Sequence, residues 1–539
     1  MSLLNKKPPD LPEVPEDQRT LLVDKLIEII SFQQEQIQLQ KEVIQGLKDE
    51  IARLKGEKPK PTIKPSNLGK KPKQDDNNAQ NKEKAKRPGS KKKRKKLKIH
   101  ETVTIPPEHI PEGSRFKGYE DYFVQDILIQ PHNVRYRLER WITPSGESLL
   151  GTIPKGVCQD HFGNQLIRYI LYQYYHCLVT QPLILEQLLE MGIDISSGKI
   201  NQILIEGKES FHAEKEDILS AGLEVSDYVN VDDTGARHKG RNGYCTHIGN
   251  DLFAWFESTE SKSRINFLTL LRGKQTDYVL NQEALDYMQA HKLPKKVLRS
   301  LDALEGKTLP DQQTWEATLN RLGITTKRHV QIATEGALLG SILEHGLNKD
   351  LVILSDDAGQ FNVFLHALCW IHAERTINKL VGFNEQQREA LNSVRDQLWS
   401  LYGDLNAYKK NPSPTKKKDL EQRFDQLFTR KTCFASLNLA LEKIYDNRSE
   451  LLLVLRRPEI PLHNNLSEND IREYVKRRKI SGGTRSDPGR KARDTFTSLK
   501  KTCRKLGISF WEFLQDRLSG QNTISRLDDC IRQKARAPG

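Results

Sequence analysis

Two short apolar runs, each ending in a pair of aspartates, constrain this chain more than any other feature. Tyr228-Val229-Asn230-Val231-Asp232-Asp233-Thr234-Gly235 and Leu351-Val352-Ile353-Leu354-Ser355-Asp356-Asp357 both read as buried strands that discharge into carboxylates. A lone strand ending in Asp is unremarkable, because Asp often caps the helix that follows. Two of them in one half of a protein point to a common site. Alternation along a strand sends Asp232 and Asp233 to opposite faces, so only one of each pair can serve that site.

The chain between and around these runs fills in an α/β architecture. Tyr244-Cys245-Thr246-His247-Ile248, the turn Gly249-Asn250-Asp251 and Leu252-Phe253-Ala254-Trp255-Phe256 predict a hairpin, which makes three antiparallel strands in a row. That is how a ribonuclease-H-like sheet opens. Residues 273–350 read as an inserted helical segment, and 371–460 as a second. Further on, Pro461-Leu462-His463-Asn464-Asn465-Leu466-Ser467-Glu468-Asn469-Asp470-Ile471-Arg472 predicts a helix with Ser467 as N-cap and Glu468 in its first turn. Arg472, one turn along on the same face, and Lys476, Arg477, Arg478 and Lys479 make this a basic helix, which suits a site that must hold both metal and phosphate.

Upstream, charge and periodicity divide the chain. From Thr20 to Lys55, Val23, Ile30, Ile37, Ile44 and Ile51 recur every seven residues, with Leu26, Gln33, Gln40, Leu47 and Leu54 three on. β-Branched residues at the first position and Leu at the second favour a parallel two-stranded coiled coil, hence a homodimer or higher assembly. Residues 1–19 read as a disordered N-terminus, and 56–100 as a disordered linker with little to bury. Between Lys55 and Lys98 lie 18 Lys/Arg and 4 Asp/Glu, and each sign numbers 67 outside that window, so the net +14 of the chain belongs to this arm. Its densest run is Lys91, Lys92, Lys93, Arg94, Lys95 and Lys96, the pattern of a polyanion-binding tail or a localisation signal.

Residues 101–155 predict a small β unit: strands at Tyr122-Phe123-Val124 and Ile127-Leu128-Ile129, then Val134, Tyr136 and Leu138 alternating with Arg135, Arg137 and Glu139. Residues 156–222 turn helical. Within them Leu183 to Glu190, the turn Met191-Gly192-Ile193 and a helix opening at Ser196-Ser197 form a helix-turn-helix candidate for DNA. An ordinary pair of packed helices accounts for the same pattern.

Several classes are excluded. No run of about 18 apolar residues exists to span a membrane, and the first residues lack the apolar stretch of a secretory signal. The seven cysteines show no paired spacing, which fits a reducing cytoplasm. Gly306-Lys307-Thr308 lacks the upstream glycine of a phosphate loop, since Leu301 stands there. Cys369 and His372 have no second ligand pair nearby for zinc.

The strings VDDTGARHKG…GY, SDDAGQF, CWIHAER and NNLSENDIR…RRK resemble the insertion-sequence-66 family of DDE transposases, over roughly residues 160–515. The resemblance implies a ribonuclease-H-like mixed sheet flanked by helices, with core segments at 223–272, 351–370 and 461–515 and a tail at 516–539. It implies Asp232, Asp356 and Glu468 as catalytic acids and ligands of two Mg²⁺ ions, with Mn²⁺ as a substitute. Such a site fits phosphoryl transfer, because hard oxygen ligands leave positions open for water and phosphate. It also implies DNA ends and target as partners, small accessory proteins of the element, and a prokaryotic, nucleoid-associated location. Cys369 to Arg375 would belong to a helix near the site.

Two features depart from the family. No cysteine occurs in residues 101–150, so the zinc module usual at that position is not expected. The 124 residues between Asp232 and Asp356 exceed the usual interval, consistent with an extra subdomain near 273–350. Two rival functions share these residues: a non-catalytic DNA-binding regulator on a transposase scaffold, and a host nuclease that cleaves without joining.

Overall fold

The computed structural model describes residues 30, 33, 99–153 and 161–536. Apart from Ile30 and Gln33, the coiled-coil heptads lie outside the described residues, as does the basic arm, Lys91 to Lys96 included. The chain divides into two units at Ile129/Gln130.

In the first unit, residues 99–129 are extended and exposed, with one turn closed by Ser114 N–H donating to Pro111 O at 3.2 Å. The strands expected at Tyr122-Phe123-Val124 and Ile127-Leu128-Ile129 do not form. Tyr122 is 90% and Leu128 81% exposed. β-Propensity makes a strand only where a neighbouring strand and a core receive it, and these side chains bury nothing. In the second unit the strand expected over Val134, Tyr136 and Leu138 is likewise absent. A short hairpin follows instead, β1 (Arg140–Ile142) against β2 (Ser148–Leu150). Gly146 supplies the positive φ of +85° that its tight turn requires.

Four helices precede the sheet: α1 (Asn164–Leu171), which continues as a wider turn over Tyr172–His176, α2 (Gln181–Glu190), α3 (Ser197–Ile205) and α4 (Glu209–Val225). α2 and α3 are the expected helix pair, with Gly192 at φ +76° in the turn and Ser196 Oγ accepting from Lys199 N–H. Ile184, Leu188, Ile200 and Leu204 lock them into the main core.

The central sheet has five strands: β3 (Tyr228–Gly235), β4 (Tyr244–Gly249), β5 (Ala254–Thr259), β8 (Val352–Ser355) and β9 (Leu365–Leu368). Their order is β5-β4-β3-β8-β9, the first three antiparallel and β3, β8 and β9 parallel. The hairpin's second strand starts at Ala254, two residues later than expected, because Asn250 and Phe253 close the turn. The apolar run of β8 has a direct cause. Ile353 packs into the main core and Val352 and Leu354 into a smaller one on the opposite face with Leu453 and Ile460, so both faces are covered.

Between β5 and β8 come α5 (Arg264–Arg272), β6 (Tyr278–Leu280), α6 (Gln282–Ala290), α7 (Lys295–Asp302), β7 (Lys307–Leu309), α8 (Gln312–Arg321) and α9 (Lys327–Glu344). The segment expected to be helical thus also holds a two-stranded sheet, β6 with β7. Three-residue strands give too short an alternation to be read from sequence. Gly340 of α9 lies where a Cβ would collide with Val279 O, so this helix needs glycine to reach the strand.

After β9 come α10 (Trp370–Asn378), α11 (Glu385–Lys410), α12 (Pro414–Phe428), α13 (Ala435–Asp446) and the short α14 (Arg448–Leu451). They close around their own core of Leu398, Leu401, Phe424, Leu437 and Trp370. The last elements are α15 (Asn465–Ser481), α16 (Asp487–Leu506), α17 (Phe510–Ser519) and α18 (Leu527–Arg536).

α16 seals the outer edge of the sheet. Ala254 N–H donates to Thr502 Oγ1 at 3.1 Å, Phe256 N–H to Ser498 Oγ at 2.9 Å, and Ser258 N–H to Asp494 Oδ2 at 2.9 Å. Three acceptors spaced one helical turn apart thus match three alternate donors of β5. No described helix is long and apolar enough to cross a membrane.

Candidate active site

The strand register sets where the two aspartates emerge. β3 and β8 run parallel, and Asn230 is paired with Leu354. Asp232 and Asp356 are each two residues beyond that pair, Asp232 where β3 runs on past β8 and Asp356 just after the end of β8. Burial pushes the Asp232 carboxyl up to about 7. The backbone N–H of Asp233 opposes this, and the nearby charges of Asp356, Asp233 and Glu468 add to it. Four acids, Asp232, Asp233, Asp356 and Glu468, therefore share one electrostatic neighbourhood.

The neighbouring aspartates have hydrogen-bond or ion-pair partners of their own. Asp233 accepts from Thr246 Oγ1 at 2.5 Å and from Gln360 Nε2 at 2.9 Å. Asp357 is taken by Lys443 at 2.7 Å, on α13. Asp356 instead accepts from Ala358 N–H at 3.2 Å, two residues further along the chain.

Glu468 arrives on α15, and buried asparagines place that helix. β3 runs beyond its pairing with β8, and its next carbonyl, Val231 O, accepts from Asn464 Nδ2 at 2.8 Å. Asn464 Oδ1 accepts from Asn230 Nδ2 at the same distance. Asn464, not Ser467, stands at the N-cap position. Ser467 is fully buried, and its hydroxyl is tied to His247 Nδ1 at 2.6 Å rather than to the helix end. Glu468 remains in the first turn.

α10 forms the facing wall. Cys369 is buried at its start, and Asn464 N–H donates to Cys369 Sγ at 3.2 Å. One turn on, His372 Nε2 lies 3.7 Å and Arg375 Nη1 3.1 Å from Glu468 Oε1. Burial lowers the His372 pKa and Arg375 lowers it further, while Asp356 and Glu468 pull it up. The roles of His372 and Arg375 toward Glu468 were missed from sequence. Their i, i+3 spacing was the available signal.

Behind Glu468 a charged network braces α15. Asp470 is 3.3 Å from His247 Nε2, 2.8 Å from Lys505 and 3.3 Å from Lys501. Burial alone would raise its carboxyl, yet His247 and Lys505 hold it well below the usual range.

The basic residues of α15 separate into two sets. Arg472, 3.7 Å from Glu468 Oε2, and Lys476 and Lys479 are exposed. Arg478 is half-buried and donates to Gly235 O and to Thr234 Oγ1 at the end of β3. Arg477, expected among the DNA contacts, turns inward: it is 3% exposed, stacks on Tyr174 at 3.7 Å and donates to Tyr174 O. A 17-residue helix packed on a sheet must bury some of its residues, and Arg477 falls on the buried face. Beyond the helix, the sequence Gly482-Gly483 lets the chain pass against the Arg237 carbonyl, where a Cβ at Gly483 would clash.

Among the described residues no three His, Cys, Asp or Glu side chains already form a metal cage. What the fold brings into electrostatic reach of one another are the carboxylates of Asp232, Asp233, Asp356 and Glu468, with Arg375 and Arg472 alongside Glu468. This defines a mixed α/β protein with a carboxylate site walled by basic side chains. The family described as Transposase IS66 family matches residues 345–492, which include Asp356, α10 and Glu468 but not Asp232. Over 303 residues the chain is 45% identical to "Uncharacterized protein y4jO" of Sinorhizobium fredii (strain NBRC 101917 / NGR234), covering 56% of this chain and 94% of that relative. The chain belongs to the IS66 family of transposases.

Proposed function

We propose that this chain is a DNA transposase that binds element ends and cuts and joins strands at Asp232, Asp356 and Glu468. The observation that carries this reading is the pairing of Asn464 with Val231 O, which sets the helix of Glu468 beside the strand of Asp232. The strand order, with three antiparallel strands followed by two parallel ones, supports a ribonuclease-H-like core.

The donor set fits divalent magnesium. Its oxygens are hard, and Asp232 carries a charge that its buried, acid-flanked surroundings disfavour until a cation balances it. Asp232, Asp356 and Glu468 would hold the ions. When bound, Mg²⁺ activates an attacking hydroxyl and stabilises a leaving oxygen at phosphorus. The chain's own groups do the rest. Arg375 and His372 fix the Glu468 carboxylate from one side, and Arg472 steers it from the other. Arg472, Lys476 and Lys479 face solvent along the same helix and would contact phosphates, which fix position without reading sequence. The coiled coil would pair two protomers, the basic arm would add sequence-independent contacts, and α2 and α3 would help read element ends.

A strand-transfer assay with candidate terminal repeats tests the reading. Mg²⁺-dependent nicking followed by joining is expected. Nicking without joining would instead identify a nuclease, and metal-independent binding alone a regulator.

A further inference from the structure

We propose that a cavity flanking α15 holds one unstacked nucleotide of the DNA strand that passes the acidic site. The proposal rests on the transposase reading above. The cavity measures about 600 Å³ and lies between the wide turn at Tyr172–His176, α15, α16 and the start of α17. It is separate from the acidic site.

One wall is basic. Lys476, Lys500, Lys501 and Arg504 line it against a single acid, Glu473. Lys500 and Lys501 are each 7% exposed and already held, Lys500 by Glu473 at 2.9 Å and Lys501 by Asp470 at 3.3 Å. Lys476 and Arg504 are exposed and form no ion pair or side-chain hydrogen bond with the described residues. Two cations are thus free to take a phosphate, and the two held ones add field behind them.

The other wall is aromatic. Tyr172 and His176 stack at 4.4 Å, Trp511 meets Tyr172 edge-on at 5.0 Å, and Phe510 closes the row. His176 Nδ1 is buried without a hydrogen-bond partner among the described residues. Burial together with Lys500 and Arg504 lowers the pKa of this ring, which favours its neutral form. A cationic wall for phosphate and an aromatic wall for a base are the parts of a single-strand nucleotide site. An inorganic anion would use only the first.

The path to the cavity runs along α15. Glu468, Arg472 and Lys476 follow one another at four-residue intervals on one face. At 1.5 Å per residue, Lys476 stands about 12 Å from Glu468 along the helix. That is roughly three to four nucleotide steps at about 3.4 Å each.

The test uses the full chain in EDTA, so that binding is read without cleavage. Fluorescence anisotropy would compare a blunt duplex, the same duplex with a four-nucleotide overhang, and competition by free dTMP. A preference for the overhang of about tenfold is expected, in line with the worth of stacking one base. Arg504→Ala and, separately, Trp511→Ala should each erase that preference with an unchanged melting temperature. Equal affinity for both duplexes, retention of the preference in both variants, or competition by dTMP at the oligonucleotide's own concentration would overturn the proposal. If Mg²⁺ then supports joining without any overhang preference, the pocket fails and the transposase reading stands. If the preference appears but no strand is ever cut, the transposase reading fails and the pocket stands.

Discussion

Asn464 donates its side-chain amide to the carbonyl of Val231 at 2.8 Å, at the point where β3 outruns its parallel neighbour β8. A side chain thus takes over the hydrogen bond that a longer strand would make. In doing so it fixes Glu468, four residues on, relative to Asp232, one residue on. Asn464→Leu should leave Val231 O and Asn230 unpartnered in a dry interior, at a cost of about 1–3 kcal/mol. A lower denaturant midpoint together with lost nicking is expected. An unchanged midpoint would show that this contact is dispensable.

Glu468→Gln keeps the shape of α15 and removes a charge that Arg375 and Arg472 both face. Nicking should fall by at least about 100-fold, since even groups behind metal ligands are worth 10–100-fold. Affinity for a DNA end should stay within a few-fold. Wild-type nicking in this variant would remove Glu468 from the chemistry.

Arg375 competes with any cation for the Glu468 carboxylate. The guanidinium is partly exposed, so the pair is worth up to about 1 kcal/mol. Arg375→Ala should therefore bind Mn²⁺ up to about fivefold more tightly by calorimetry while turning over more slowly. Weaker Mn²⁺ binding would mean that Arg375 only orients the Glu468 carboxylate and does not compete with a cation for it.

His366 is a buried imidazole on β9, 2.8 Å from Ser355 Oγ, and burial lowers its pKa to about 4. The sign follows from linkage. The unfolded ring takes up its proton near pH 6.5 and the folded ring does so later, so stability present above pH 6.5 is lost as pH falls toward 4. His366→Gln should flatten that part of the stability profile in urea titrations at pH 7, 5.5 and 4.5. A profile identical to wild type would exclude His366 as its source.

Ser498 is the middle acceptor of the helix that closes the sheet edge. Ser498→Ala should expose the Phe256 N–H to an empty partner position at a cost of about 1–3 kcal/mol. Amide exchange at Phe256 should quicken first, ahead of Val229 and Ile353 in the centre of the sheet. Uniform exchange across the strands would contradict this.

Much of the acidic site was legible because it depends on short-range patterns. An apolar run ending in acid reads as a strand meeting a site, and the hairpin between Tyr244 and Phe256 follows from alternation and a turn. What could not be read depends on partners distant in sequence. Tyr122 to Leu138 carries strand-like residues, but among the described residues no neighbouring strand pairs with them. Arg477 looks like its exposed neighbours until Tyr174, some 300 residues earlier in the chain, is found against it. Asp494, Ser498 and Thr502 make a polar stripe that suggests a solvated helix, although all three are buried. The place of Asn464 at the start of α15, its side chain spent on β3 and not on the helix end, was likewise hidden, because Ser467 offered a more conventional N-cap residue.

That stripe on α16 has a consequence for how copies of the protein can meet. A bare outer strand invites another chain to join it in register, and the invitation repeats without end, as in a fibril. Here the hydroxyls and the carboxylate occupy the donors that such a newcomer would need. The β5 side of the sheet is therefore capped within one polypeptide, and association through that edge has no backbone handhold.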